Sequence, residues 1–384
     1  MNITKYILAA IVVFALAACY KDTVYLDTKS VPVKVVDREL IYGDLYPVSD
    51  GLIEVDRTLS PISNYSIVKQ DGSVVMSESL DYPQEGPFYS FDCFQNNSDD
   101  FFIYFDSPSV SLAKFDRNGH LMYFRDYDIG YMSTITALDN GEFAFFSKEY
   151  SESDDRERMT MRIINNDGEL EDYVVYFEDG LYDGFFDQPF WYFYSYNDRI
   201  FVFYCDEVDG NTCYRFYNID GTYVNSGIVE SAEGEGNFYE RRIARYVAGN
   251  LYLLSGGGAS INAPKTVTKF DADGNQVFTA TLRAASISSN ICIKDGSLIV
   301  SGSYLLNDED FSSEMNRIFI IDDNSGIVKD SIDIDYDGVL HVEQILPAYD
   351  GCYDVFAYRY MDDNRRAIHI FHTDDLHKLQ SDNQ

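Results

Sequence analysis

Three groups of residues in this 384-residue chain have types and spacings suited to chemistry. Two segments bring aromatic rings beside charges: Tyr182-Asp-Gly-Phe-Phe-Asp-Gln-Pro-Phe-Trp191 and Asn237-Phe-Tyr-Glu-Arg-Arg242. The rings of Tyr182, Phe186, Trp191, Phe238 and Tyr239 can stack on sugars or apolar peptide side chains. Arg241 and Arg242 can clamp a carboxylate through two parallel hydrogen bonds. The plainer role for the same side chains is packing between structural units and pairing with surplus carboxylates. In the second group, Asp333, Asp335, Asp337 and Gly338 follow the opening pattern of a calcium loop, in which alternate carboxylates wrap oxygens around a hard cation. The twelfth position is Gln344 instead of Glu, and no cofactor other than calcium is expected. In the third, Cys205 and Cys213 flank the turn 206–212, where two antiparallel strands would bring them opposite each other as a candidate disulfide.

Other chemistry is missing. No nucleophile elbow or zinc-spaced Cys pair occurs, and Gly256-Gly-Gly258 lacks the Lys and Ser/Thr of a phosphate loop. His369 and His372 are three apart, which in a strand points them to opposite faces, so no zinc pair is expected there. With 64 Asp and Glu against 29 Lys and Arg, the formal charge is −35. That balance excludes a phosphate-backbone partner, which needs Lys and Arg to displace counterions, so no nucleic acid is expected. It also makes any chance pair of carboxylates uninformative about glycoside chemistry, and no catalytic residue can be named.

The elements that must position these residues form a repeat. An alternating strand, a turn ending in Gly and another strand recur with their glycines at Gly72, Gly119, Gly168, Gly221, Gly274 and Gly326, separated by 47, 49, 53, 53 and 52 positions. Asx-Gly turns suit tight hairpins because Gly accepts positive φ and Asx bonds to nearby backbone. Strongly apolar strands between the copies begin near Gly51, Asp100, Glu142, Arg199, Asn250, Ser297 and Gly351. Seven units of four strands predict an all-β fold, a seven-bladed β-propeller, with six blades as the alternative. The last unit lacks a fourth strand, and the N-terminal segment Val31-Pro-Val-Lys-Val-Val-Asp37 is expected to supply it and close the ring. In such a ring the tight turns share one face and the long connections share the other. The functional surface is therefore expected on the long-connection face.

Lys269-Phe-Asp-Ala-Asp-Gly-Asn-Gln276 resembles the repeats of NHL-type propellers and of propeller lipoproteins of Bacteroides-like bacteria. The resemblance implies a binding or scaffolding protein and brings no chemistry with it. At the N-terminus, Lys5, the apolar run Ile7 to Leu16 and Leu16-Ala17-Ala18-Cys19 resemble a bacterial lipoprotein signal with its lipobox. That resemblance implies a signal peptide over 1–18, lipidation of Cys19, a tether over 19–30 and a single propeller domain over 31–384. The address is then the cell envelope, on the outer membrane and held through lipid, with surface and periplasmic orientations both open. The expected function is binding of a protein or glycan without chemistry. The alternative is an envelope polysaccharide hydrolase or lyase acting at the mouth of the central channel.

Overall fold

The computed structural model describes residues 24–28, 31–38, 43–56, 65–77, 91–95, 100–106, 110–127, 134–138, 140–151, 156–177, 191–196, 199–205, 212–229, 242–247, 249–255, 265–284, 286–305, 314–334, 341–360 and 366–380. Strands β1 (Val24–Thr28) and β2 (Val31–Arg38) come first. Blade 1 is β3 (Gly43–Val48), β4 (Gly51–Asp56), β5 (Tyr65–Lys69) and β6 (Val74–Met76). Blade 2 is β7 (Phe91–Gln95), β8 (Phe101–Asp106), β9 (Val110–Phe115) and β10 (Leu121–Tyr127). Blade 3 is β11 (Thr134–Ala137), β12 (Phe143–Ser151), β13 (Arg156–Ile164) and β14 (Leu170–Tyr176). Blade 4 is β15 (Trp191–Tyr196), β16 (Arg199–Cys205), β17 (Thr212–Asn218) and β18 (Tyr223–Val229). Blade 5 is β19 (Arg242–Val247), β20 (Asn250–Ser255), β21 (Lys265–Phe270) and β22 (Gln276–Leu282). Blade 6 is β23 (Ser286–Lys294), β24 (Ser297–Leu305), β25 (Glu314–Asp322) and β26 (Val328–Ile334). Blade 7 is β27 (His341–Pro347), β28 (Tyr353–Tyr360) and β29 (Arg366–Thr373), completed by β2.

The expected seven-bladed propeller is the fold. Every blade is antiparallel, blades 1 to 6 have their strands in chain order, and the first strand of blade 7, β27, touches β3 of blade 1. Closure is as the sequence reading has it: β2 pairs antiparallel with β29, Val33 opposite Phe371 and Arg38 opposite Arg366. The segment expected as tether adds one element, because β1 pairs with β2 as a fifth, outermost strand. The seam is thereby held by both ends of the chain.

Strand position in a blade is legible in burial. The third strands β9, β21 and β29 are buried over all or nearly all their length, covered by neighbouring blades on both faces. The outermost strand β26 begins with four exposed residues, Val328 to Ser331. The repeated turns work through their first residue. In blade 2 the Asp116 carboxylate accepts from Asn118 N at 2.8 Å and His120 N at 3.0 Å, and Gly119 takes φ 84°. Asp271 in blade 5 accepts in the same way from Asp273 N and Asn275 N, both at 2.9 Å. A bulge follows in the outermost strand, where Met122 is left between Leu121, opposite Phe115, and Tyr123, opposite Lys114, and Val277 is left in the same way between Gln276 and Phe278.

Each turn glycine also seats against the preceding blade. A Cβ at Gly168 would lie 2.8 Å from the Tyr123 ring, one at Gly274 2.8 Å from Phe216, and one at Gly326 2.5 Å from Phe278. At the seam the same place is held by an aliphatic stem: a Cβ at Gly72 would lie 2.2 Å from Cδ of Lys34. The tail after β29 is more than the polar extension the sequence reading has. It forms a 3-10 turn, Leu376–Leu379, capped by Asp375, and buries Leu376 and Leu379 against Ile332, Ile334 and Val342 of blades 6 and 7. Among the described residues no helix is long and apolar enough to cross a membrane.

Candidate functional site

The long connections join second to third strands and outermost strands to the next blade, so they sit together at one end of the ring. Of the ligand-binding candidates, Tyr182, Phe186, Phe238, Tyr239 and Arg241 lie outside the described residues, as does Cys19. Trp191 opens β15 and Arg242 opens β19. These are the first strands of neighbouring blades 4 and 5 and they touch each other. The strands that follow segments 178–190 and 231–241 are therefore neighbours in the ring.

Two other candidates are partly placed by the structure. Register sets Cys205 opposite Thr212 and Cys213 opposite Tyr204, so the two are not the cross-strand partners the sequence suggested. The connection is one residue shorter than that pairing needs, and Cys213 is a buried free thiol. Asp333 is held by a fork from Arg317, with Nε donating at 2.5 Å to Oδ1 and Nη2 at 2.9 Å to Oδ2. Both of its oxygens thus accept from one guanidinium. Asp335 and Asp337 lie outside the described residues.

The opposite face carries a constellation that the sequence reading missed. Between blades 7 and 1 a cavity of about 540 Å³ opens beside the turn 348–352. Lys34, Asp71, Tyr349, Asp354, Ile370 and His372 are among its lining residues. Gly351 has φ 84°, which tightens the turn, with Gly351 N donating to Ala348 O at 3.2 Å and Ala348 N to Cys352 O at 2.9 Å. From blade 6, Lys294 Nζ donates to the carbonyls of Gly351 and Cys352, and its ammonium sits 3.7 Å from the Tyr353 ring centroid. The turn is thereby strapped to two blades.

His372 is the hub. Pairing of β28 with β29 sets Asp354 opposite His372, and Asp354 Oδ1 lies 2.8 Å from Nδ1. Asp350 Oδ1 accepts from Cys352 N at 3.0 Å, which turns Oδ2 toward His372 Nε2 at 2.9 Å. Asp354 and next Asp350 raise the His372 imidazole above its ordinary value. The Cys352 backbone N–H and thiol, then His372, hold the Asp350 carboxyl down at about 2. Partial desolvation and then Asp350 raise the Cys352 thiol, with Lys294 acting the other way. One oxygen of Asp350, the Cys352 sulfur and one His372 nitrogen lie within 4.8 Å of one another, a mixed set of donors able to hold a metal.

His369 and His372 do point to opposite faces, as expected: His369 is buried, and burial pushes its imidazole down to about 4. What the spacing argument lacked was the partner strand. Asp350-x-Cys352-x-Asp354 at the start of one strand, with His372 near the end of the next, is the available signal.

No protein-family model matches the chain, and no curated protein matches it. Among solved structures it is similar to a protein of unknown function from Bacteroides caccae, with 13% identity over 71% of this chain and 90% of that one and a TM-score of 0.40. It is similar to the Dos1 propeller with 10% identity over 87% and 93% of the two chains and a TM-score of 0.47. It is also similar to the polysaccharide lyase Uly1 with 9% identity over 86% and 89% and a TM-score of 0.46. Likenesses this remote assign no function.

Proposed function

We propose that this chain is a lipid-anchored cell-envelope propeller of the outer membrane that binds a protein or glycan on its long-connection face and turns nothing over. The observation that supports the reading is that β15 and β19, the strands that follow segments 178–190 and 231–241, are the first strands of neighbouring blades and touch each other. Side chains on connections held by a rigid scaffold bind without reorganising it. Short turns such as the two residues Ser49-Asp50 join strands at the other end of the blades. The lipid anchor rests on Leu16-Ala17-Ala18-Cys19. Cys19→Ser is expected to abolish incorporation of a fatty-acid label and release the chain from membranes.

The binding reading is tested with a variant in which both segments are replaced by short Gly-Ser linkers, compared with the parent chain in co-purification from lightly crosslinked envelopes and in binding to a polysaccharide panel. A partner retained by the parent and depleted more than tenfold with the variant, at an unchanged unfolding midpoint, is the expected result. Equal recovery with both chains overturns the choice of face. Turnover of a polysaccharide that one carboxylate substitution abolishes while binding persists would make the chain an enzyme instead.

A further inference from the structure

We propose that Asp350, Cys352 and His372 form a binding site for a borderline transition-metal dication, zinc in the first instance, on the turn face at the seam between blades 7 and 1. This site is independent of the long-connection face. The donor set is one carboxylate, one thiol and one imidazole, which suits an ion of intermediate softness and disfavours calcium and magnesium, whose ligands are oxygens. Three protein ligands leave a fourth tetrahedral position open.

The surroundings are those of a metal-ligating histidine. Such a histidine uses one ring nitrogen for the metal and donates from the other to a carboxylate that fixes its tautomer and orientation. Asp354 is in that second position, 2.8 Å from Nδ1 and only 12% exposed, which leaves Nε2 facing Asp350 and Cys352. Asp350 is held through Oδ1 by the Cys352 backbone N–H and presents Oδ2. Bond lengths of about 2.0 to 2.3 Å put ligand atoms of a tetrahedral zinc roughly 3.3 to 3.6 Å apart. The three atoms here lie within 4.8 Å of one another, so only small side-chain movements separate this cluster from that geometry. The 2.9 Å contact between Asp350 and His372 would open by roughly 0.5 Å as the ion takes the place of the shared proton. The thiol proton of Cys352 leaves to solvent at the same step, because the thiolate is the ligand. The Lys294 ammonium beside the turn offsets the resulting excess of negative charge. The adjoining cavity gives water, or a ligand atom, access to the open position.

The test is a titration of the full-length chain, purified in detergent, reduced and stripped with chelator, using Co²⁺ as the spectroscopic probe and Zn²⁺ as competitor. The expected result is uptake of one Co²⁺ with a thiolate-to-metal charge-transfer band that Zn²⁺ abolishes and Ca²⁺ leaves in place. Cys352→Ser removes the band, His372→Gln weakens Zn²⁺ binding at least tenfold, and Asp354→Asn weakens it about 10- to 100-fold with the stoichiometry unchanged. Absence of saturable one-to-one uptake, or a band that survives in Cys352→Ser, overturns the proposal. Cys352 is partly exposed, so its Ser variant is expected to melt like the parent in chelator and decides the matter even where the His372 variant does not fold.

Discussion

Between blades 4 and 5 the interface is built of rings, whereas between blades 7 and 1 it is built of short aliphatics and buried polar groups. Phe201, Phe203, Tyr214, Phe216 and Phe270 are all buried in the first, with Phe201 and Phe203 centroids 3.9 Å apart and Tyr214 and Phe270 5.0 Å apart. In the second the apolar cluster is Val36, Leu52, Val68, Phe356, Ile368 and Ile370. Buried Glu54 lies on the same face of β4 as Leu52 and accepts from Ser66 Oγ at 3.4 Å. Gln344 Nε2 donates to Val48 O at 2.6 Å across the seam. Even the turn glycine follows this division, resting on the Phe216 ring in one interface and on the Lys34 stem in the other. Ring packing fills space and excludes polar groups, so it stabilises without offering chemistry. The seam trades some of that packing for directional bonds that specify which ends of the chain meet, and the space left over is the cavity beside His372.

The contrast has measurable consequences. Phe201→Ala is expected to cost about 3–5 kcal/mol in urea denaturation. Ile370→Ala is expected to cost about 2–3 kcal/mol, because part of the isoleucine's surroundings is already open space. An isoleucine variant as damaged as the phenylalanine one would break the comparison.

Acid should act on blade 7 and spare blades 4 and 5. The folded chain binds a proton at His369 only near pH 4, whereas the unfolded chain binds it near 6.5. The contribution of His369 to stability is therefore full above about pH 6.5 and falls as pH drops toward 4, by on the order of 3 kcal/mol. Hydrogen exchange at pH 5 is expected to quicken in blade 7 ahead of blade 4, and His369→Gln to flatten the pH profile. Equal quickening in both blades would remove the distinction.

Gln344→Leu sharpens the comparison from the other side. It leaves the Val48 carbonyl without its cross-seam donor and is expected to cost about 1–3 kcal/mol, read as a lowered unfolding midpoint.

The smallest effect belongs to the tail. His377 lies 2.9 Å from Asp375 and 2.7 Å from Asp330 on β26, and Asp375 and then Asp330 raise its imidazole. That stabilisation is complete below the ordinary value of 6.5 and disappears as pH rises through the raised one. Solvent screening at these half-exposed groups limits it to about 0.2–1 kcal/mol. The difference in midpoint between the parent and His377→Gln should therefore be present at pH 5 and vanish in mild alkali.

Much of the ring was legible in the chain. Second strands expected near Asp100, Glu142 and Gly351 begin at Phe101, Phe143 and Tyr353, and those expected at Arg199, Asn250 and Ser297 begin there. Turn chemistry and strand periodicity are local, and each blade repeats them. Pairings that depend on register across a hairpin were not legible. A shift of one residue moves Cys213 from facing Cys205 to facing Tyr204, and hydrophobicity constrains that choice weakly when both strands are rich in aromatics. The tail was read as polar because Leu376 and Leu379 are only two apolar residues among charges, and only the groove between blades 6 and 7 gives them somewhere to be buried.

By itself the sequence determined a ring of four-stranded blades, seven with six as the alternative, the place of its repeated turns and the strand expected to close it, because a pattern repeated about every fifty residues is written in short-range preferences. Only the tertiary structure decided what closure creates. Lys34, Asp71, Asp350 and His372 belong to separate segments of the chain, and they share a cavity because β2 pairs with β29 and carries its residues into register with the last blade. Proximity of that kind is fixed by the path of the backbone and by strand register, which no local pattern encodes.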